Sequence, residues 1–168
     1  MATIQDVRSV GNPQRAYEFE VSILAGAVAG SLPILTQRVE SVSIPDTSVE
    51  TIEIQFKGRK TIYSGRDASS HSVSISFWDT EDRSVYSFFK NWMENGISNS
   101  STGAGVTRNL YATELLITTF AHDSQTPTGV NRLTNVFPTA IADISLSYES
   151  SEHMKVEVTF AYDSNLLD

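Results

Sequence analysis

Three histidines, His71, His122 and His153, are the side chains of this sequence that could shuttle a proton near neutral pH or hold a zinc ion. They fall in three separate polar segments, without the H-E-x-x-H spacing that sets two imidazoles on one helix face. They therefore read as surface histidines and imply no metal. Gly96-Ile97-Ser98-Asn99-Ser100 matches a nucleophile elbow only if the second glycine is ignored, and it follows a predicted helix where an elbow needs a strand. Gly103-Ala104-Gly105 lacks both the third glycine of a dinucleotide fingerprint and the lysine of a P-loop. The carboxylate pairs Asp79 with Asp82 and Glu149 with Glu152 are accounted for by a helix start and a turn. The chain has no cysteine, which excludes disulfides, thiolate metal sites and a cysteine nucleophile. The expectation is a protein that is not an enzyme and needs no cofactor.

Composition narrows the class further. The 168 residues, 40% of them hydrophobic, fit one domain large enough to bury a core without staples. Twenty acidic against 12 basic residues leave a net charge of −8, which repels phosphate backbones and argues against a sequence-reading nucleic-acid binder. The apolar run Ile23 to Leu35 contains Gly26, Gly30, Ser31 and Pro33 and is too short to span a bilayer. The N-terminus lacks the basic and apolar regions of a signal peptide, so no membrane anchoring is expected. Asn99-Ser100-Ser101 is then a chance match to a glycosylation acceptor, and the missing cysteines fit a cytosolic setting.

With chemistry absent, the elements themselves carry the reading. Val73, Ile75 and Phe77 alternate with Ser72, Ser74 and Ser76, which predicts a strand with one apolar and one hydroxyl face. It runs into the chain's one convincing amphipathic helix, predicted over 80–95. Asp79 or Thr80 serves as cap, Glu81 and Asp82 suit the positive end of the dipole, and Gly96 is a left-handed stop. Val85, Phe88, Phe89, Trp92 and Met93 form its apolar stripe and read as structural core, while Arg83, Ser87, Lys90, Asn91 and Glu94 face outward.

Around this unit the chain reads as strands. Residues 1–15 are an arm without period. Tyr17, Phe19, Val21 and Ile23 alternate as a first strand, Gly26 to Pro33 is a turn, and Val39, Val42 and Ile44 form a second strand whose period slips as at a bulge. A hairpin is predicted within 46–64: Ile52, Ile54 and Phe56 alternate with Thr51, Glu53 and Gln55, turn at Lys57-Gly58-Arg59, and return through Thr61 to Tyr63. It either projects with exposed apolar side chains, which a partner would have to cover, or supplies two more strands of the body. Gly65 to His71 reads as a loop and Ile97 to Thr107 as a polar connector. Leu110 to Phe120 and Arg132 to Phe137 pair across the loop His122 to Val130, and Phe137-Pro138-Thr139 breaks the pattern. Ile144, Leu146 and Tyr148 then form a hairpin with Met154 to Tyr162. The predicted fold is mainly β: a single-domain antiparallel β-sandwich or barrel with one flanking α-helix and a projecting β-hairpin.

This order resembles the tail tube proteins of contractile-tailed bacteriophages: a bulged second strand into Pro45, a hairpin, a core strand, and the helix with Phe88, Phe89 and Trp92. The segments Phe137-Pro138-Thr139-Ala140-Ile141 and Leu146-Ser147-Tyr148-Glu149-Ser150 are similar to that family's closing elements, and the resemblance spans nearly the whole of 1–168. It implies a fold shared with the tubes of type VI secretion and R-type pyocins. It also implies homo-hexameric rings stacked into a hollow tube, assembled in the host cytoplasm and placed in the virion tail. The implied partners are tail sheath, baseplate and tape measure proteins, with double-stranded DNA passing through without specific binding. The ring-to-ring contact it implies falls on Val49, Ile52, Ile54, Phe56, Lys57 and Arg59. Strand alternation offers Ser72, Ser74, Ser76, Asp143 and Ser145 as candidates for the lumen wall. Two other readings stay open: a tube-initiating baseplate protein of the same fold, and a monomeric β-sandwich binding module.

Overall fold

The strand with alternating Val73, Ile75 and Phe77 buries all three of these side chains in the core. The computed structural model describes residues 13–24, 32–98, 101–148 and 153–167, with backbone alone for 32–34. Its strands are β1 (Phe19–Ile23), β2 (Val39–Val42), β3 (Val49–Phe56), β4 (Arg59–Asp67), β5 (Ser72–Trp78), β6 (Thr113–Phe120), β7 (Pro127–Ile141), β8 (Lys155–Ala161) and β9 (Ser164–Leu167). The helices are α1 (Leu32–Gln37), α2 (Ser84–Asn91), continued by a π-helical turn (Trp92–Ile97), and α3 (Arg108–Tyr111).

Two antiparallel layers share one long strand. The first half of β7 pairs with β6 and, on its other side, with β9; its second half pairs with β8. The corner falls at Asn135, whose left-handed φ of 54° lets the strand bend, a conformation asparagine adopts at lower cost than most residues. The next strand turns the same corner. After β8 the Tyr162 N–H donates to the His71 carbonyl (3.1 Å) and the Asp163 N–H to the Thr134 carbonyl (3.0 Å), which starts β9 along β7. The layers are thus β1-β6-β7-β9 and β7-β8-β5-β2. Their inner faces bury Val21, Leu115, Ile117 and Leu133 from one side and Ile75, Phe77, Val156, Val158 and Phe160 from the other.

Helix α2 closes the open side. Phe89 packs 5.1 Å from the Phe77 ring and 5.7 Å from Phe160, and Trp92 stacks on Phe89. Val85, Phe89 and Trp92 are buried, while Phe88 and Met93 are half-buried at the margin. Each fully buried side chain of this size contributes roughly 1.5–3 kcal/mol relative to exposure. The opposite face, with Ser87, Lys90, Asn91 and Glu94, is exposed.

The helix does not begin at Thr80. The Arg83 N–H donates to the Thr80 carbonyl (2.8 Å), closing a turn that leaves Arg83 at φ 51°, and helical geometry starts only at Ser84. Asp79 still performs the capping from outside: its buried carboxylate accepts from the backbone N–H of Val85 and of Tyr86, both at 3.1 Å. Gly96 is not a left-handed stop either; it lies inside the π-helical turn, where the Trp92 indole leaves no room for a Cβ.

Several strand boundaries also differ from the sequence reading. Tyr17 lies in a turn before β1 and Ile44 beyond β2, both exposed, although the bulge in β2 is present between Val39 and Ser41. Leu32 and Pro33 open α1, where a proline in the first turn forfeits no hydrogen bond. Gly65 to Asp67 extend β4, and Leu110 and Tyr111 belong to α3. β7 starts at Pro127, within the predicted loop, and passes through Phe137-Pro138-Thr139, the register shift beside Pro138 absorbing its missing N–H. Ile144, Leu146 and Tyr148 form no strand, because both edges of β8 are already taken by β5 and β7. The arm up to Asn12, the turn residues 26–31, Asn99 and Ser100, and the Glu149–Glu152 turn lie outside the described residues.

Candidate functional site

Among the described residues, the one pair of strands that joins neither layer is β3 with β4, a two-stranded sheet of its own. Its register follows from a two-residue turn in which Lys57 (φ 47°) and Gly58 (φ 77°) are both left-handed, the geometry that matches strand twist. Ile52 then faces Tyr63, Ile54 faces Thr61, and Phe56 faces Arg59. Directly opposed residues share a face, so Ile52, Ile54, Phe56 and Tyr63 form one apolar surface. The other face carries Thr51, Glu53, Gln55, Lys60 and Ser64 together with Ile62, and Lys60 forms an ion pair with Glu53.

All of β3 is exposed: Ile52 and Ile54 to just over 50% and Phe56 to 69%. Val49 is exposed at the base of the hairpin. Sequence reasoning singled out Val49, Ile52, Ile54, Phe56, Lys57 and Arg59, and the structure places all six on this hairpin. It omitted Ile62 and Tyr63, which are equally exposed; counting back from the two-residue turn puts Tyr63 opposite Ile52.

A hydrogen-bonded clasp ties the hairpin to the body. The Asp46 carboxylate accepts from the Ser70 hydroxyl and N–H, the Ala68 N–H donates to the Ser48 carbonyl (2.9 Å), and Asp67 accepts from the Ser69 N–H (2.9 Å). The hydroxyl of Ser70 at Asp46, and that of Ser69 at Asp67, hold both carboxyls below the usual range. Gly65 is required here, since a Cβ would stand 3.0 Å from Glu50 Cβ and carbonyl oxygen across the strand pair.

The hydroxyl face of β5 looks away from the core. Ser72 is exposed, Ser74 and Ser76 are half-buried, and the Ser74 hydroxyl lies 3.2 Å from that of Thr159. Asp143 and Ser145, expected on a strand, sit instead in a segment that belongs to no strand, and with Ser76, Lys155 and Glu157 they line a cleft of about 610 Å³. The cation in this group is engaged: Lys155 Nζ is 2.7 Å from Glu40, whose pKa it lowers. The histidines stay apart, each within reach of a different carboxylate: Asp67, Glu18 and Glu40. Among the described residues no cluster of His, Asp and Glu could hold a metal ion, and no helix is long and apolar enough to cross a membrane.

Solved structures share this architecture. A chain in the cryo-EM structure of the extended sheath-tube complex of an extracellular contractile injection system, PVC, superposes with a TM-score of 0.68 at 18% identity, over 99% of each chain. A chain of the anti-feeding prophage tube-terminating cap gives 0.67 at 16% identity, over 100% of this chain and 99% of that one. Hcp1 from Flavobacterium johnsoniae gives 0.50 at 13% identity, over 89% and 93%. No curated protein matches. The fold is that of contractile tail tube proteins. A model of the phage tail tube protein family matches residues 12–167, and the chain belongs to that family, which supplies structural subunits of phage-like tails.

Proposed function

We propose that the whole chain acts as one tail tube domain, that six copies close into a ring, and that rings stack through the β3–β4 hairpin into a hollow tube inside a contractile sheath. The tube conducts a double-stranded DNA genome without binding it specifically, contacts the baseplate and a tape measure protein, and is assembled in the host cytoplasm before residing in the virion tail. The observation that carries this reading is the apolar hairpin surface of Ile52, Ile54, Phe56 and Tyr63, which no strand among the described residues covers. In a stacked assembly that surface is buried against the next ring.

Negative-stain microscopy of the purified chain is the direct test, with long hollow tubes the expected result. Isolated rings would favour a terminating role at the end of a tube; one similar chain comes from the structure of the PVC sheath/tube terminator in the extended state. The variant Ile54→Asp with Phe56→Asp is expected to keep its thermal unfolding transition and lose tubes, because the hairpin lies outside the core. An unfolded variant would place the hairpin in the core and overturn the reading.

A further inference from the structure

At the far end of the molecule from the hairpin lies a second cleft, of about 430 Å³, lined by Tyr17, Glu18, Phe19, Glu20, Phe120 and the end of α1. We infer that this cleft is the receptor for the hairpin tip of a second copy of the chain, taking up the cationic side chains of Lys57 and Arg59. The inference rests on the stacking proposed above and names where the hairpin docks.

The first argument is a carboxylate oxygen without a donor. The Glu18 side chain is only 5% exposed, yet its Oε2 has no hydrogen-bond donor among the described residues. Arg15 reaches the other oxygen at 3.3 Å, and His122 Nδ1 stands 3.7 Å from Oε2, beyond hydrogen-bond range. A buried carboxylate oxygen without a donor is costly, and a guanidinium or ammonium brought into the cleft would offset part of that cost through its charge. Glu20, on the rim, has no ion pair among the described residues, and the lining includes no Lys or Arg.

The second argument is complementarity. The hairpin tip is aromatic and basic: Lys57 Nζ lies 5.3 Å from the centre of the Phe56 ring, and Arg59 has no ion pair among the described residues. The cleft is aromatic and acidic, with Tyr17, Phe19 and Phe120 beside Glu18 and Glu20. Opposite charges on matched apolar surfaces fix the register of an interface.

The third argument is placement. The return leg of the hairpin reaches the body at His71, beside the β7 corner where Thr113 pairs with Val136. Glu18 sits at the other end of β6, its carbonyl accepting from the Phe120 N–H at 2.9 Å. An eight-residue strand separates them by roughly 20 Å or more. Donor and receptor at opposite ends of one subunit are what a repeating head-to-tail contact requires.

The test is a charge reversal in the full-length chain. Glu20→Arg and Arg59→Glu are each expected to raise the concentration needed to pellet tubes about tenfold or more, without moving the unfolding transition, and the double variant Glu20→Arg/Arg59→Glu to recover most of that loss. As a second measurement, the cysteine-free background allows Glu20→Cys with Arg59→Cys; a short bis-maleimide should then link neighbouring copies into a ladder on a denaturing gel. Normal assembly of the single variants together with tubes that give no ladder would overturn the cleft as receptor. The stacking role of the hairpin would survive that result as long as Ile54→Asp/Phe56→Asp still abolishes tubes; if that variant polymerises too, both readings fall.

Discussion

The backbone of Gly96 runs against the indole of Trp92, so that a Cβ added at Gly96 would stand 3.0 Å from Trp92 Cδ1. The ring has little freedom to retreat. Its N–H donates to the Tyr111 carbonyl at 3.0 Å, and Phe88, Phe89 and Phe160 surround it. Gly96→Ala is therefore expected to destabilise the subunit by about 1–3 kcal/mol through overpacking. Trp92→Ala removes the ring and should cost about 3–5 kcal/mol. Urea unfolding of the non-polymerising hairpin variant measures both. A Trp92→Ala protein of normal stability that fails to assemble would move this face from core to interface.

The hairpin turn offers the opposite case, in which assembly should change and stability should not. Gly58 sits at φ 77°, and a Cβ added there would meet nothing within 4 Å, so Gly58→Ala carries only the conformational penalty of a left-handed alanine, about 1–2 kcal/mol. Among the described residues β3 and β4 pair only with each other, so fraying of the hairpin leaves the core intact. The expected outcome is an unchanged melting temperature with weaker tube formation. A lowered melting temperature would mean that the hairpin is coupled to the body more tightly than its pairing indicates.

What was legible in the sequence was local. Ser72 to Trp78 and Lys155 to Ala161 announce themselves by strict alternation, and the Lys57-Gly58 turn sets the register of its hairpin without outside help. The errors arose where a distant residue decides. Leu146 and Tyr148 alternate as well as any strand, but an alternating segment needs a free edge, and β8 has none. Pro138 looked like a terminator, yet a bulge lets β7 continue through it into the second layer. The helix start was displaced because its cap is Asp79, joined to Val85 and Tyr86 across a turn rather than standing next to the first helical residue. Glu18 falls between Tyr17 and Phe19, where alternation gives no sign of burial, and only the fold brings Phe120 and His122 around it.

The loop between β6 and β7 carries a pH prediction. Asp123 accepts from the Thr126 hydroxyl (2.6 Å), the Thr126 N–H (2.9 Å) and the Gln125 N–H (3.1 Å), and these bonds, the hydroxyl first, lower its pKa to about 2. A depressed carboxyl pKa favours the closed loop above the unfolded value near 3.8, and that contribution is lost as pH falls through about 2. Carbon-13 titration of the non-polymerising variant should place the Asp123 midpoint near 2, and Thr126→Val should raise it. A midpoint near 3.8 in the parent would mean that the three bonds do not persist in solution.

The last prediction concerns the channel wall. A tube that passes double-stranded DNA must not hold it, and each cation facing the lumen adds a phosphate contact through counterion release. The hydroxyl face of β5 is our proposed lining, with Glu40, Glu157 and Asp143 nearby and Lys155 already engaged by Glu40. Ser74→Lys and Ser76→Lys should both allow tubes to form, since a lysine stem can lie along the sheet and extend its head outward. Their effects on genome ejection should differ. Ser76 is registered with Glu157, which would pair with the new charge, whereas Ser74 is registered with Thr159, which would not. Ser74→Lys is therefore expected to slow ejection more than Ser76→Lys, and both more at low salt, where screening is weaker. An assembled tube whose lumen is dominated by Lys and Arg, or ejection indifferent to both substitutions at every salt concentration, would remove β5 from the channel wall.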